Sequence, residues 1–177
     1  MHKLALILAM PLLVLTGLAQ PRNCLRVMPI DELTRNSILI ARVKVLKASR
    51  VNYRGVFSQL AILKPIDVID GDFTLKQVNV LARANVRCAE DNFIEKQEML
   101  VFLALEDSLF RTQNFQYGQF LIDGEIVKGW RDKANKPVDR LYSEVRQEIE
   151  AYVNAIHHPP SDAPVPPPTK PIRQPDE

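Results

Sequence analysis

Alternating apolar and polar residues predict β-strands over much of the middle of the chain. In a first strand, residues 37–46, the apolar residues Leu39, Ala41, Val43 and Val45 lie on one face, and the basic residues Arg42 and Lys44 lie on the other. A repeat of two is the period of a strand with one buried face. A second strand is predicted over 56–68 and a third from 78 toward 88. In the second strand the apolar face is assigned to Leu60, Ile62, Ile66 and Val68.

Proline and Asp-Gly sequences mark where these strands bend or end. Pro65 interrupts the second strand, so we expect a bulge or an edge position there, because proline has no N–H to donate to a ladder. The Asp-Gly-Asp sequence at 70–72 ends that strand. Asp123-Gly124 lies between two apolar-rich runs and predicts a hairpin over 120–127, with these two residues as its turn.

Residues 99–105, with the sequence MLVFLAL, are apolar at every position. A continuous apolar run of this length is typical of a central strand that is covered on both faces. The following segment, 109–112, is interpreted as a short strand or a loop.

Two helices are predicted, one near each end of the folded region. Residues 29–35 have an early proline and acidic residues in the first turn, as a short helix would. Residues 138–156 carry apolar side chains at three- and four-residue spacing, which predicts an amphipathic helix of about five turns. Its apolar stripe either covers the sheet or binds a partner. The stripe consists of Val138, Leu141, Tyr142, Val145, Ile149, Tyr152, Val153 and Ile156.

These elements together predict a mainly β domain over residues 20–156. Five or six strands with short turns, a short N-terminal helix and a long C-terminal amphipathic helix are typical of an antiparallel barrel or sandwich, with the helix packed on it.

Residues 1–19 have the composition of a secretory signal peptide. His2 and Lys3 precede an apolar run that ends at Leu15, and small residues follow at Gly17 and Ala19. The alternative is an uncleaved membrane anchor, but the run is shorter than the roughly 20 residues that a membrane-spanning helix needs. We therefore expect cleavage after Ala19 and a secreted or periplasmic protein without stable membrane insertion.

The opposite end, residues 157–177, carries eight of the thirteen prolines. Proline fixes φ and removes a backbone donor, so this composition favours a disordered, extended tail. A ligand for a proline-recognising domain and a spacer are the alternatives.

The charges of the chain nearly balance. There are 23 Lys and Arg against 21 Asp and Glu, and loss of Lys3 with the signal peptide would leave 22 basic residues, a formal charge of +1. A protein that binds nucleic acid through its charge shows a basic stripe, so nucleic acid is not expected as a partner.

The sequence contains no recognisable catalytic or metal-binding motif. Its histidines are His2, His157 and His158, all outside the predicted core, so the commonest general base and metal ligand is missing there. We expect no enzymatic activity, no metal and no cofactor. The acidic residues before the apolar strand are interpreted as a solvated turn, because their spacing fits no calcium loop. They are Glu90, Asp91, Glu95 and Glu98.

Aromatic residues interleaved with amides and arginine occupy 109–120, and Trp130 follows the hairpin. Such rings can stack on a sugar or a peptide. The candidate ligand-binding residues are therefore Phe110, Phe115, Tyr117 and Trp130. The alternative is that these side chains belong to the core.

The chain has two cysteines, Cys24 and Cys88. In an exported protein, two cysteines are most simply explained by one disulfide bond. Two free thiols or intermolecular pairing are the alternatives. The chain has no CxxC, which excludes a redox motif of that type and a zinc knuckle.

Several of these features occur in an order known from one family. A cysteine precedes a short helix, an alternating strand, an Asp-Gly-Asp turn, a strand that ends near a second cysteine, and an apolar strand. The corresponding positions are Cys24, 38–45, 66–72, 78–88 and 98–103. This order resembles the netrin-like module, which includes the tissue inhibitors of metalloproteinases and small secreted bacterial relatives. The resemblance covers roughly residues 24–130 and implies an OB-fold barrel, here of five or six strands, with flanking helices.

Two differences concern the inhibitory residues of that family. The inhibitors chelate the protease zinc through a cysteine that is the first residue of the mature chain and belongs to a Cys-x-Cys motif. Here Cys24 should lie several residues inside the mature chain, and position 26 is Arg26. We therefore expect a non-enzymatic protein-binding module without metalloproteinase inhibition. The alternative is glycan or cell-wall binding through residues 109–120.

Overall fold

The structure, a computed structural model, describes residues 25–85 and 91–159. This part of the chain contains eight strands, two α-helices and one 3-10 turn, Phe115–Gly118. The elements are, in chain order, α1 (Ile30–Arg35), β1 (Leu39–Tyr53), β2 (Phe57–Asp70), β3 (Val78–Ala84), β4 (Glu98–Glu106), β5 (Leu109–Thr112), β6 (Gln119–Asp123), β7 (Ile126–Arg131), β8 (Pro137–Leu141) and α2 (Tyr142–His157). The mainly β prediction is confirmed, but the count of five or six strands was wrong, since short strands such as β5 and β8 carry too few residues to show a clear period.

All eight strands belong to one sheet, in the order β1-β2-β3-β5-β4-β6-β7-β8. β1 also pairs with β4, so the ladders β1–β2, β2–β3, β3–β5, β5–β4 and β4–β1 return to the strand from which they start. The β3–β5 ladder is parallel, whereas its neighbours are antiparallel. The prediction of purely antiparallel pairing was wrong here, because β5 lies beside a strand that is not its neighbour in sequence.

Two groups of buried apolar side chains lie on opposite faces of β4. Met99, Val101 and Leu103 belong to a cluster shared with β1, β2 and β3, named here the strand cluster. Leu100 and Phe102 belong to a cluster shared with both helices, the helix-side cluster. All residues from 99 to 104 are buried, which confirms the prediction of a central strand covered on both faces.

The buried face was predicted correctly for β1 but not for β2. All four apolar positions assigned to β1 are buried, as predicted. In β2 the buried residues are instead the odd ones, including Ala61 and Leu63, while Ile62 is half-buried and Ile66 is exposed. The assignment of the even face was wrong, because both faces of β2 carry apolar side chains and the ladder with β1 decides which face turns inward.

The predicted hairpin at 120–127 is confirmed, but its turn lies one residue later than predicted. Asp123 pairs with Ile126, so Gly124 and Glu125 form the two-residue loop. Gly124 has a φ of +61°. Glycine at the first loop position is typical of a type II′ turn, in which only that residue needs a positive φ.

The short helix α1 confirms the N-terminal helix prediction, whereas the C-terminal helix differs from its prediction. α2 has 16 residues and begins at Tyr142, not at residue 138. Val138 and Leu141 pair with Trp130 and Ile126 in the β7–β8 ladder. Their spacing fits a helix, but residues 137–141 extend the sheet, so the prediction of a longer helix was wrong.

Other predictions fall partly or wholly outside the described residues. These are the signal peptide at 1–19, both cysteines with their disulfide, and the proline-rich tail from residue 160 onward. Within the described ranges, no helix has the length and apolar character needed to cross a membrane.

Candidate protein-binding site

Phe73 is the most exposed large apolar side chain among the described residues, at 70 %. It lies in the loop between β2 and β3, residues 71–77, and Ile66 of β2 is itself 49 % exposed. An open surface depression of about 380 Å³ is lined by residues 65–68 of β2, by Phe73 and Leu75 of the loop, and by Arg146 of α2. This depression is named the Phe73 groove.

A bulge in β2 places Ile66 at the groove. Arg42 pairs with Asp67 and Val43 pairs with Pro65, so Ile66 has no residue opposite it in β1. This confirms the bulge predicted at Pro65. Proline cannot donate to the ladder, and a bulge changes the direction in which a side chain points. The half-exposed position of Ile66 therefore follows from its neighbour in sequence.

The loop that carries Phe73 is held on both sides of this residue. Gly71 has a φ of +105°, and a Cβ at this position would lie 2.5 Å from the Ile38 carbonyl oxygen, so only glycine fits. The Asp72 carboxylate accepts hydrogen bonds from the Thr74 hydroxyl at 2.6 Å and the Thr74 amide at 2.8 Å. These bonds, the hydroxyl first, lower the pKa of Asp72. Leu75 packs against the strand cluster, so the loop is anchored while Phe73 stays in solvent.

A group of polar side chains forms the wall of the groove on the α2 side. The Tyr142 hydroxyl donates to Asp67 Oδ2 at 2.8 Å, and burial, followed by this carboxylate, raises the pKa of Tyr142. Arg146 Nε lies 3.1 Å from the same oxygen, in an ion pair whose N–H does not point at it. Arg146 also pairs with Glu150 at 3.1 Å. The charges of this wall are thus already matched within the protein.

The four aromatic residues proposed from the sequence do not form one group, although Phe115 and Tyr117 share the 3-10 turn. Trp130 is fully buried and packs against Phe102 and Phe120, with the Phe120 ring centre 4.9 Å away. The other three are partly exposed and have different neighbours. Phe110 packs on the strand cluster, Phe115 packs in a third cluster, and Tyr117 lies 5.6 Å from the Arg131 guanidinium.

Of the acidic residues predicted to form a solvated turn, Glu90 lies outside the described residues and the other three have different environments. Glu95 is exposed, and Glu98 bonds with Arg42 at 2.8 Å. Asp91 is only 1 % exposed, so that prediction was wrong for this residue. Phe93, two residues later, is buried in the strand cluster. Across the described ranges, no three His, Cys, Asp or Glu side chains are grouped so that they could hold a metal ion.

Sequence reasoning missed Phe73 and Ile66 as candidate binding residues. The available signal was a phenylalanine directly after a predicted Asp-Gly-Asp turn, a position where an apolar side chain has little chance of burial. For Ile66 the signal was its place beside the proline that predicts the bulge.

Comparison with the models of known protein families and with curated proteins found no match for this chain.

Proposed function

We propose that the protein is a non-enzymatic module that binds another protein through the Phe73 groove. One observation carries the proposal: Phe73 is 70 % exposed on a loop that is anchored on both sides. Exposed apolar surface is unfavourable in water and becomes favourable when a partner covers it. Aromatic side chains are also enriched at protein interfaces.

We also propose that β1, β2, β3, β5 and β4 form an OB-type barrel of the netrin-like kind. The support is that these five strands pair in a closed circuit, as a five-stranded barrel requires, with a helix packed on the outer face of β4. The order of sequence features that resembles the netrin-like module gives independent support.

We also propose that the protein is exported and that it does not inhibit metalloproteinases. Export is supported by the signal-like composition of residues 1–19. Inhibition is left out because Arg26 occupies the second cysteine position of the family motif. Glycan binding through 109–120 has less support, since Trp130 is in the core and the other three rings are only partly exposed.

The test compares the mature wild-type chain with Phe73→Ser and with a matched control, Ile94→Ser, whose isoleucine is 53 % exposed in another loop. Each is used as bait in the exported fraction, and captured proteins are identified by mass spectrometry. A central aromatic contact contributes about 2 kcal/mol or more, so the dissociation constant should rise about 30-fold for Phe73→Ser. The control should bind like wild type.

Circular dichroism establishes that all three chains are folded. Equal capture by Phe73→Ser and wild type would show that this groove is not the binding site.

A further inference from the structure

The Phe73 groove runs beside an open edge of the sheet. β2 pairs with β3 only from Phe57 to Leu63, whereas it pairs with β1 as far as Asp70. On the β3 side, residues 64–70 therefore have no partner strand within the described part of the chain. Residues 65–68 of this edge form one wall of the groove. An unpaired strand edge offers backbone donors and acceptors to another chain.

The loop that follows β2 lines the same depression as this edge. It contributes Phe73 and Leu75, and residues 65–68 of β2 contribute the rest together with Arg146. Successive residues of a strand advance by about 3.3 Å, so residues 66–70 would match a segment of about five residues. Pro65 has no N–H, which sets the end of any added ladder at Ile66.

The unpaired charges at the Pro65 end of the groove are positive. Lys64 and Lys76 directly flank lining residues, both are exposed, and neither makes an ion pair with a described residue. Lys44 lies opposite Lys64 in the β1–β2 ladder and adds a third positive charge. The acid nearest Phe73, Asp72, accepts two hydrogen bonds from Thr74. A segment that carries carboxylates therefore matches this end of the groove better than a basic one.

We propose that the partner binds by strand addition: an extended, acidic and apolar segment pairs with β2 along residues 66–70. Its backbone forms the ladder, its apolar side chains cover Ile66 and Phe73, and its carboxylates lie near Lys64 and Lys76. Strand addition obtains affinity from main-chain hydrogen bonds and specificity from alternate side chains. This inference rests on the proposed protein-binding function and names the kind of partner.

The experiment is an amide NMR titration of the mature chain with three synthetic nine-residue peptides. The first alternates Val and Glu, the second alternates Val and Lys, and the third is the Val/Glu peptide with a central proline. The Val/Glu peptide should shift the amide resonances of residues 66–70 and bind at least about tenfold more tightly than the other two. No shifts at 66–70 at millimolar peptide, or equal shifts with the Val/Lys peptide, would overturn the inference.

Charge variants provide the matched comparison. Lys64→Glu and Lys76→Glu should each weaken binding of the Val/Glu peptide, whereas Lys133→Glu, in the loop between β7 and β8, should not. Equal effects of all three variants would contradict the proposed charge contacts. Shifts at 66–70 that depend on protein concentration without peptide would identify a second copy as the occupant and overturn the acidic-segment proposal.

The two proposals fail in distinguishable ways. If Phe73→Ser loses capture but no peptide shifts residues 66–70, the groove binds a protein by another mode. If capture is unchanged in Phe73→Ser, the proposed function fails whatever the peptides do.

Discussion

Burial of Asp91 raises the pKa of its carboxyl group above the ordinary value. The amides of Ala84 and Arg83 and the Thr112 hydroxyl act in the opposite direction, but their effect is smaller. Neither carboxylate oxygen is in hydrogen-bonding geometry with a described residue. Two residues later, the Gln59 carboxamide bonds to both the backbone N–H and the C=O of Phe93, at 2.9 and 3.1 Å. Burial without a matched partner therefore disfavours the charged form of Asp91.

Asp91→Asn should stabilise the protein at high pH and not at low pH. The folded-state pKa lies above the unfolded one, so the aspartate contributes most stability at acidic pH and loses it as pH rises through the folded pKa. The asparagine variant avoids this loss, which is about 1.4 kcal/mol for each unit of pKa difference. Urea unfolding at about pH 2.5 and at pH 8, below and above the ordinary pKa of an aspartate, measures the change in the free energy of unfolding.

Asp72→Asn provides a control, because its effect on stability should depend on pH in the opposite direction. Hydrogen bonds from Thr74 lower the pKa of Asp72, so its contribution is present at high pH and is lost as pH falls. This variant should lose more stability at pH 8 than at about pH 2.5, where the carboxyl group of the wild-type residue is becoming protonated. Parallel pH profiles for the two variants would contradict the assignment of Asp91 as the carboxyl with the raised pKa.

At the scale of elements, β4 is the strand on which the two clusters meet. Successive residues of β4 belong alternately to the strand cluster and to the helix-side cluster. The strand also pairs with β1, β5 and β6. The apolar run at 99–105 was sufficient to predict this role. Only its end differs, because Leu105 is 48 % exposed.

Phe102→Ala should destabilise the protein far more than Leu105→Ala. Phe102 is fully buried and contacts the Phe120 and Trp130 rings, with centroid distances of 6.1 and 6.3 Å. Its truncation should cost about 3–5 kcal/mol, whereas the exposed Leu105 should cost about 0.5 kcal/mol or less. Chemical denaturation gives both values, and similar losses would show that β4 is not the shared wall of the two clusters.

Boundaries of elements were harder to predict than their existence. Val138 and Leu141 satisfy helical spacing with α2 and also alternate along β8, so their local sequence is compatible with both structures. Pairing with β7 decides in favour of the strand. The same holds for β2, where the choice of the buried face depends on the ladder with β1.

For the molecule as a whole, the circuit of strands is closed by ladders of unequal length. The β1–β4 ladder joins six residue pairs, from Leu39↔Leu103 to Lys44↔Glu98. The β3–β5 ladder joins two, Val80↔Phe110 and Leu81↔Arg111, and it is parallel. Parallel pairing is slightly less stable per residue, so the weakest connection of the circuit is expected between β3 and β5.

Native-state hydrogen exchange should show this difference directly. Amides of β5, residues 109–112, should have a smaller free energy of opening than those in the β1–β4 ladder. Only two residue pairs, in a parallel ladder, hold β5 on its β3 side. Exchange followed by NMR at increasing low concentrations of denaturant separates the two groups. Equal opening free energies for β5 and the β1–β4 ladder would contradict a weak β3–β5 connection.

The sequence by itself determined the features that depend on near neighbours. These are the mainly β content, the central strand at 99–105, the hairpin near Gly124, the bulge at Pro65 and the short helix α1. Each follows from side-chain period, from proline geometry or from turn preference, which act over a few residues. The candidate site was not among them, although Phe73 and Ile66 each lie beside a recognised turn or bulge.

Only the tertiary structure decided the features that depend on distant partners. It assigned the inward face of β2, placed Trp130 in the core, buried Asp91, and left residues 64–70 without a partner strand on the β3 side. A side chain is buried or exposed according to which strand or helix lies against it. That neighbour can be tens of residues away in sequence, so the local pattern does not record it.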